Sequence, residues 1–292
     1  MFKSGFVTIL GEPNVGKSTL LNALINEKLS IVTPKAQTTR RTIKGILSTE
    51  NYQIIFVDTP GILKPEYKLH KSMLFEIDES IKDTDVILYL TTINHKINEK
   101  AKSILQKSNV PFIVAINKID LEKSNEKIEL LKNLIKEELN TENIIPISAL
   151  NRINLDILIE KILDFLQEHP PYYDLNDLSD SNLRFFVAEF IREKIFLTCK
   201  QEVPYSTEVV VTDFKEEEKI TKIYATIYVM RESQKKIIIG EGGKMIKKIG
   251  TLARQDIERF LNCKVYLELK VKVLENWRNN ENYLRFLGYR LK

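Results

Sequence analysis

The sequence predicts an α/β domain, with a mostly parallel sheet covered by helices on both faces, followed by a smaller α+β domain. From residue 1 to about 168, short apolar runs alternate with helical stretches, which is the pattern of parallel strands joined by helices. At 292 residues the chain is long enough for two cores, and paired prolines with polar residues break the periodicity near 170. We therefore expect domains at 1–170 and 183–292, joined by a linker at 171–182.

Composition excludes several classes of protein. With 43% hydrophobic and 29% charged residues, the chain is globular rather than disordered or fibrous. It has no apolar run of membrane-spanning length and no signal-peptide pattern, so we expect a cytoplasmic protein. Cys199 and Cys263 have no metal-binding spacing, and His70, His95 and His169 have no acidic or thiol partner at ligand spacing. These patterns argue against a zinc or iron site.

The first element is a buried strand at 6–10 that runs into a glycine-bounded loop and then a helix. Two glycines let backbone N–H groups turn inward, a lysine adds a point charge, and the helix N-terminus adds its free donors. Together these predict a P-loop for a di- or triphosphate, with Ser18 placed to ligate Mg²⁺. The motif consists of Gly11, Glu12, Pro13, Asn14, Val15, Gly16, Lys17, Ser18 and Thr19.

A second phosphate motif follows a loop at 31–41 and a hairpin with strands at 42–47 and 52–57. The second strand ends in Asp58, Thr59, Pro60 and Gly61. A carboxylate at the end of a buried strand can hold a metal-bound water, and the N–H of Gly61 can sense the terminal phosphate. Such turns are common, and this one indicates a phosphate site because it lies about forty residues after the P-loop, at the end of a strand.

Two later strands, at 85–90 and 111–116, are predicted to be buried on both faces, and a base-recognition motif follows the second one. Asp120 can accept hydrogen bonds from N1–H and the 2-amino group of guanine, whereas adenine would leave the carboxylate unpaired. Asn117 braces the loop, and the Lys118 stem covers the base. A strand at 144–147 then leads into a turn whose backbone N–H can reach guanine O6, formed by Ser148, Ala149 and Leu150.

These four motifs, in this order and spacing, resemble those of small GTP-binding proteins. Ile62 departs from the Ras-like pattern, in which a water-positioning glutamine follows the glycine. The resemblance implies catalytic roles for Lys17, Thr39 and Gly61, and two alternatives for Asn14. In several relatives the equivalent asparagine is associated with a bound K⁺ ion that replaces an arginine finger; the other alternative is a structural role in the loop.

The second domain shows the order helix, two strands, helix, glycine loop, helix, strand. The helix at 182–197 precedes strands at 206–214 and 219–230, and the glycine loop leads to a helix at 251–261 and a strand at 264–273. From Arg231 to Lys292 there are 15 Lys/Arg against 7 Asp/Glu, a local excess of 8, so the remainder carries −4 of the total +4. This asymmetry favours a polyanionic partner over a merely solvated helix face.

This order and its Gly-x-x-Gly loop resemble a type II KH domain, which lets backbone N–H groups approach nucleic-acid phosphates and binds single-stranded bases in an apolar groove. The implied RNA contacts are loop, groove and cationic residues, together with a tryptophan that stacks on a base or else belongs to the core. They are Lys235, Lys236, Ile237, Ile239, Gly240, Glu241, Gly242, Gly243, Lys244, Lys247 and Trp277.

The whole chain resembles the Era family of bacterial GTPases, with Lys-Ala-Gln-Thr-Thr-Arg at 35–40 and Ile-Gly-Glu-Gly-Gly-Lys at 239–244. The implied fold is an α/β P-loop GTPase domain followed by a type II KH domain. The resemblance implies GTP hydrolysis, binding of the 3′ end of 16S rRNA, maturation of the 30S subunit and peripheral association with the inner membrane. Thr39, rather than its neighbour Thr38, is the expected switch ligand of Mg²⁺, beside Ser18 and Asp58, and we expect a monomer.

Two alternatives stay open on the sequence alone. One is a constitutive RNA-binding module whose GTP or GDP only stabilises the fold. The other is a metabolic P-loop kinase or ATPase, against which Asn117 and Asp120 argue directly. Slow intrinsic hydrolysis is expected because no glutamine or arginine stands in an evident catalytic position.

Overall fold

The computed structural model describes residues 1–94 and 97–291, so His95 lies outside the described residues. The chain folds into two compact units, and each includes more than one segment. The first unit comprises Met1–Ser30, Thr39–Pro65 and Met73–Asp180, and the second comprises Ile31–Thr38, Glu66–Ser72 and Ser181–Lys292. The sequence did not indicate that two short segments of the N-terminal half group with the C-terminal half. No helix within 1–94 or 97–291 combines the length and apolarity needed to cross a membrane.

The elements of the first unit alternate as the apolar pattern predicted. Its strands are β1 (Lys3–Gly11), β2 (Ile43–Ser48), β3 (Tyr52–Asp58), β4 (Val86–Thr92), β5 (Phe112–Asn117) and β6 (Ile144–Pro146). Its helices are α1 (Lys17–Ile25), α2 (Lys68–Lys82, whose first residues group with the second unit), α3 (Glu99–Lys107), α4 (Asn125–Leu139) and α5 (Leu155–Phe165).

These strands form one sheet in the order β2-β3-β1-β4-β5-β6. The β2–β3 hairpin is antiparallel, and the other pairs of neighbouring strands are parallel. Because parallel strands end at the same edge of a sheet, the loops after β1, β3 and β5 converge there. The mostly parallel sheet predicted from the sequence is confirmed.

Helices cover both faces of this sheet. One face packs Leu10, Tyr89 and Ile116 against Ile77 of α2, and against residues of α3 and α4, in a single buried cluster. On the other face two glycines allow close approach. A Cβ on Gly45 would lie 2.6 Å from Leu21 of α1, and one on Gly5 would lie 2.6 Å from Leu166, just after α5.

The predicted linker at 171–182 is largely fixed to the first unit. The side chain of Gln53 accepts from the N–H groups of Tyr172 and Tyr173 at 2.7 and 3.0 Å. Further along, the Leu178 carbonyl accepts from the backbone N–H of Ile46 at 2.9 Å, so the segment continues beside β2. The unit boundary falls only after Asp180.

The second unit has the predicted order of elements. It contains α6 (Leu183–Thr198), β7 (Glu208–Glu216), β8 (Thr221–Val229), α7 (Glu232–Ile239), α8 (Lys244–Leu261), β9 (Val265–Val273) and a final helix α9 (Glu281–Phe286) that the sequence did not reveal. The sheet order is β7-β8-β9, with β7–β8 antiparallel and β8–β9 parallel. Helix α8 begins at Lys244, seven residues before the predicted helix at 251, because Gly250 is accommodated inside it.

Candidate functional site

The loop between β1 and α1 has the geometry of a phosphate-binding loop. Gly16 has φ 103°, and a Cβ there would lie 2.3 Å from Nδ2 of Asn117, so only glycine fits. Helix α1 starts at the next residue, and its first N–H groups have no intrahelical partner. Free N–H donors and the positive end of the helix dipole make this a place for a phosphate.

Lys17 lies across this loop and is buried. Its Nζ donates to the carbonyls of Gly11 at 3.0 Å and Glu12 at 2.9 Å. Burial lowers the pKa of Lys17 to about 8, against the opposing attraction of Asp58 and Glu12. A buried ammonium group of this kind is stabilised by an anion placed against it.

Three side-chain oxygen groups meet beside the loop. The hydroxyl of Ser18 donates to Oδ2 of Asp58 at 2.7 Å and lies 2.9 Å from Oγ1 of Thr39. Asp58 is fully buried, which raises its pKa against the influence of Lys17 and two serine hydroxyls. Its Oδ1 has no hydrogen-bond partner among the described residues. A buried, unsatisfied carboxylate oxygen next to two hydroxyls matches the oxygen ligands that Mg²⁺ prefers.

The turn after β3 packs directly against the P-loop. A Cβ on Gly61 would lie 2.7 Å from the backbone nitrogen of Pro13, so this position excludes other residues. The N–H of Ile62 donates to the carbonyl of Gly11 at 3.0 Å, and Thr59 anchors the turn by donating to Ile9 at 2.7 Å. The Ile62 side chain lies in the hydrophobic core, where it cannot position a water molecule.

The residues predicted to recognise the base lie in contacting loops, and Asn117 joins them to the P-loop. Its Nδ2 donates to the carbonyl of Val15 at 2.9 Å, and its Oδ1 accepts from the N–H of Ala149 at 2.9 Å. Lys118 donates to the carbonyl of Asn14 at 2.7 Å. The hydroxyl of Ser148 donates to the exposed carboxylate of Asp120. One buried amide therefore sets the relative position of two loops.

We expect Asn117→Ala to lower GDP affinity about 100-fold, because the carbonyl of Val15 and the N–H of Ala149 would lose their buried partner at about 1–3 kcal/mol each. Binding of a fluorescent GDP analogue measures the change. Asn133→Ala, at an exposed position of α4, is the matched control and should bind as the wild type. Equal affinities for the two variants would contradict the bracing role.

The glycine loop between α7 and α8 is open and left-handed. Gly240, Gly242 and Gly243 have φ values of 72°, 56° and 76°. A Cβ on Gly242 or Gly243 would meet no described atom within 4 Å, so the glycines are required by backbone conformation rather than by crowding. Glu241 is exposed in the loop, and Lys236, Lys244 and Lys247 are exposed beside it.

Next to this loop, a cleft of about 630 Å³ lies between α8 and β9. Its lining combines apolar groups with the cationic side chains of Lys247 and Arg254 and the carboxylate of Glu268. The apolar contribution comes from Ile220, Ile246, Val265, Leu267 and Leu269, with Tyr266 at one side. Such a cleft can hold unpaired bases while the cations face phosphates.

The cleft does not include the two isoleucines that the sequence analysis assigned to an apolar groove, and that assignment stays a prediction. Neither Ile237 nor Ile239 lines it. Both lie on α7, which precedes the loop: Ile237 is 47% exposed, and the intervening Ile238 is fully buried. The sequence analysis named neither Arg254 nor the residues of β9 that line this cleft, although the alternation along β9 and the basic face of α8 were visible in the sequence.

Trp277 belongs to the core and not to an RNA-binding surface. Its side chain is 0% exposed, its indole N–H donates to the carbonyl of Ser206 at 3.0 Å, and its ring stacks on Tyr289 with centroids 6.4 Å apart. A fully buried ring cannot stack on a base. The core alternative for Trp277 is therefore correct.

Comparison with known proteins shows which families and relatives this chain is similar to. Residues 6–118 match the family model described as a 50S ribosome-binding GTPase, and residues 202–278 match the KH domain model. GTPase Era of Clostridium botulinum strain Hall is 47% identical over 294 residues, which is 99% of this chain and 99% of that protein. GTPase Era of Caldanaerobacter subterraneus subsp. tengcongensis is 46% identical over 99% of this chain and 98% of its own length.

Two solved structures agree along the whole length. Era in complex with MgGDPNP and nucleotides 1506–1542 of 16S ribosomal RNA superposes with a TM-score of 0.95, at 40% identity and 100% coverage of both chains. A variant of Aquifex aeolicus Era bound to GDP·AlF4⁻ superposes with a TM-score of 0.94, at 40% identity, covering 99% of this chain and 100% of that one. With this agreement in sequence and in structure over its whole length, the chain belongs to the Era family of GTPases.

Proposed function

We propose that this protein hydrolyses GTP to GDP and phosphate, and that it binds the 3′ end of 16S rRNA through its KH domain during assembly of the 30S ribosomal subunit. The observation that carries the proposal is the pairing, in one chain, of a P-loop site with a glycine loop that has exposed lysines beside it and a cleft next to it. Full-length similarity to a relative solved with MgGDPNP and 16S rRNA supports it.

Ser18, Thr39 and Asp58 are the residues that would hold Mg²⁺. Ser18 and Thr39 offer hydroxyl oxygens, and the unsatisfied Oδ1 of Asp58 is suited to a metal-bound water. When bound, the ion neutralises charge on the β- and γ-phosphates. The protein's part is to keep these three oxygens together at the end of β3.

Lys17 and Gly61 complete the phosphate site. The ammonium of Lys17 faces the β- and γ-phosphates, where it stabilises the negative charge that hydrolysis redistributes. The N–H of Gly61 reports the terminal phosphate. Because Ile62 is in the core, another group must position the attacking water, and the exposed Asn14 at φ 64° is our candidate. Asn14 would also hold a K⁺ ion, which would supply the positive charge of an arginine finger.

For RNA, we assign phosphates to the glycine loop and bases to the cleft between α8 and β9. The exposed lysines Lys236, Lys244 and Lys247 lie near the loop, with Lys235 partly exposed. Each phosphate contact adds to the salt dependence of binding, whereas the cleft supplies stacking and apolar contact.

Two segments that group with the second unit support communication between the sites. In the first, Lys35 donates to the carbonyls of Phe196 and Cys199 at the end of α6. In the second, Lys68 pairs with Glu281 at 2.8 Å. The first segment leads directly into Thr39, and the second begins a few residues after Gly61. A nucleotide-dependent rearrangement at either residue therefore reaches the second unit through a short stretch of backbone.

The test compares RNA affinity in two nucleotide states. Full-length protein with Mg²⁺ is titrated onto RNA of nucleotides 1506–1542, once with GDP and once with a non-hydrolysable GTP analogue. We expect tighter binding in the GTP state by about 5-fold or more, the usual size of coupling between sites. Scrambled RNA of equal length is the control. Equal affinity in both states would favour the constitutive RNA-binding module, and displacement of bound GDP by ATP would favour a kinase or ATPase.

We also place the protein in the cytoplasm as a monomer that associates peripherally with the inner membrane. The positive excess between Arg231 and Lys292 supports this last point, because cationic surfaces are attracted to anionic lipid headgroups. Co-sedimentation with anionic but not neutral vesicles is the corresponding measurement.

A further inference from the structure

The carboxylate of Asp58 is held by a second hydroxyl that no motif assigns. Ser30 is fully buried at the end of the segment that follows α1, and its Oγ donates to Oδ2 of Asp58 at 2.8 Å. The hydroxyl of Ser18 donates to the same oxygen at 2.7 Å. Oδ2 is therefore bonded twice, whereas Oδ1 has no partner within 1–94 and 97–291.

Asn22 fixes the backbone of Ser30. Its Oδ1 accepts from the N–H groups of Leu29 at 3.0 Å and Ser30 at 2.8 Å, and its Nδ2 donates to the carbonyl of Ser30 at 2.7 Å. Asn22 lies four residues after Ser18 on α1, and residues at this spacing share a helix face. One face of α1 therefore supplies one donor to Asp58 directly and holds the other donor in place.

This arrangement fixes the orientation of the carboxylate, with one oxygen bonded twice and the other free among the described residues. With two donors on Oδ2, rotation of the carboxylate would break two hydrogen bonds inside a buried site, at about 1–3 kcal/mol for each group left unpaired. With Ser18 alone, the rotation would break only one. The second donor thus keeps Oδ1 as the free acceptor, and partners of this kind tune metal sites without touching the metal.

We propose that Ser30 is a positioning residue for Mg²⁺, which orients Asp58 so that Oδ1 accepts from a metal-bound water, and that Asn22 holds Ser30 for this purpose. The inference rests on the metal site proposed above. It gives Ser30 a role in metal affinity and none in contact with the nucleotide.

The experiment measures GDP binding by full-length protein over a Mg²⁺ titration and in excess EDTA. For Ser30→Ala we expect the Mg²⁺ concentration of half-maximal effect to rise about 10-fold, with GDP affinity in EDTA unchanged, because loss of one such partner typically weakens metal binding about 10- to 100-fold. Asn22→Ala, which leaves every side chain that bonds Asp58 intact, should shift the Mg²⁺ requirement in the same direction.

Ser80→Ala is the matched control, because that hydroxyl donates to the carbonyl of Glu76 within α2 and not to Asp58. An unchanged Mg²⁺ requirement in Ser30→Ala, whatever its melting temperature, would overturn the proposal. An equal loss of GDP affinity with and without Mg²⁺ would overturn it too, since Ser30 would then support the P-loop itself. If wild-type GDP binding does not respond to Mg²⁺, the metal site fails and the role of Ser30 with it.

Discussion

Replacing Asp120 with Asn is expected to change the base preference of the nucleotide site from guanosine to xanthosine triphosphate. We expect the carboxylate to accept from N1–H and the 2-amino group of guanine. Xanthine carries an oxygen in place of that amino group, so it repels a carboxylate and accepts from an amide. Because sites built to hydrogen-bond a ligand reject mismatched analogues strongly, we expect GTP affinity to fall about 10³-fold or more while xanthosine triphosphate affinity rises.

The structure indicates that this substitution changes the hydrogen-bonding group without disturbing the fold. Asp120 is exposed, lies in a short turn after β5, and has one oxygen fixed by the hydroxyl of Ser148, so an amide of the same shape can replace it without disturbing the core. Competition between the two triphosphates measures the change. Asp164→Asn, at an exposed position of α5, should leave discrimination as in the wild type. If Asp120→Asn also leaves it unchanged, Asp120 does not read the base.

The second large effect is expected at the glycine loop, where Gly242→Asp should weaken RNA binding about 10- to 100-fold, as expected for a like charge placed against phosphates that cationic contacts normally neutralise. Gly242 has φ 56°, and its Cβ position is open, so the side chain itself meets no obstacle among the described residues. Fluorescence anisotropy with RNA of nucleotides 1506–1542 measures the loss, which should diminish as salt screens the added charge.

Gly242→Asn separates charge from backbone strain. Asn and Asp both tolerate the left-handed conformation better than most residues, so the two variants share the conformational cost and differ in charge. We expect the Asn variant to retain most of the RNA affinity and both variants to retain GDP binding. Equal losses in the two variants would contradict an electrostatic role for the loop.

The sequence predicted which loops meet at the edge of the sheet, because their residues belong to short motifs at strand ends. Parallel strands bring their carboxyl ends to one edge, so order and spacing alone placed Lys17, Asp58 and Asp120 near one another. The pair Asn22 and Ser30 escaped prediction because it joins an ordinary helix position to a loop without periodicity. Their contact depends on how the chain returns to α1, which no local pattern encodes.

The residues of the cleft between α8 and β9 were harder to predict, because they depend on which side chains of each helix face the sheet. The glycine loop has α7 on one side and α8 on the other, and both helices contact β9, so composition does not tell which side chains line the cleft. Trp277 shows the same limit, since a tryptophan near the end of a basic segment reads equally well as exposed or buried. The linker at 171–182 was predicted from prolines and polar residues, yet Gln53 binds it through its backbone, which side-chain composition does not reveal.

That fixed segment has a consequence for aggregation. Strand β2 is one of the two edge strands of the six-stranded sheet, and an uncovered edge strand offers its backbone to neighbouring molecules. Here the Leu178 carbonyl takes the N–H of Ile46, and the Ser179 hydroxyl donates to the carbonyl of Lys44. A first unit that ended at residue 170 would lose these contacts, and we expect it to self-associate through the exposed edge of β2.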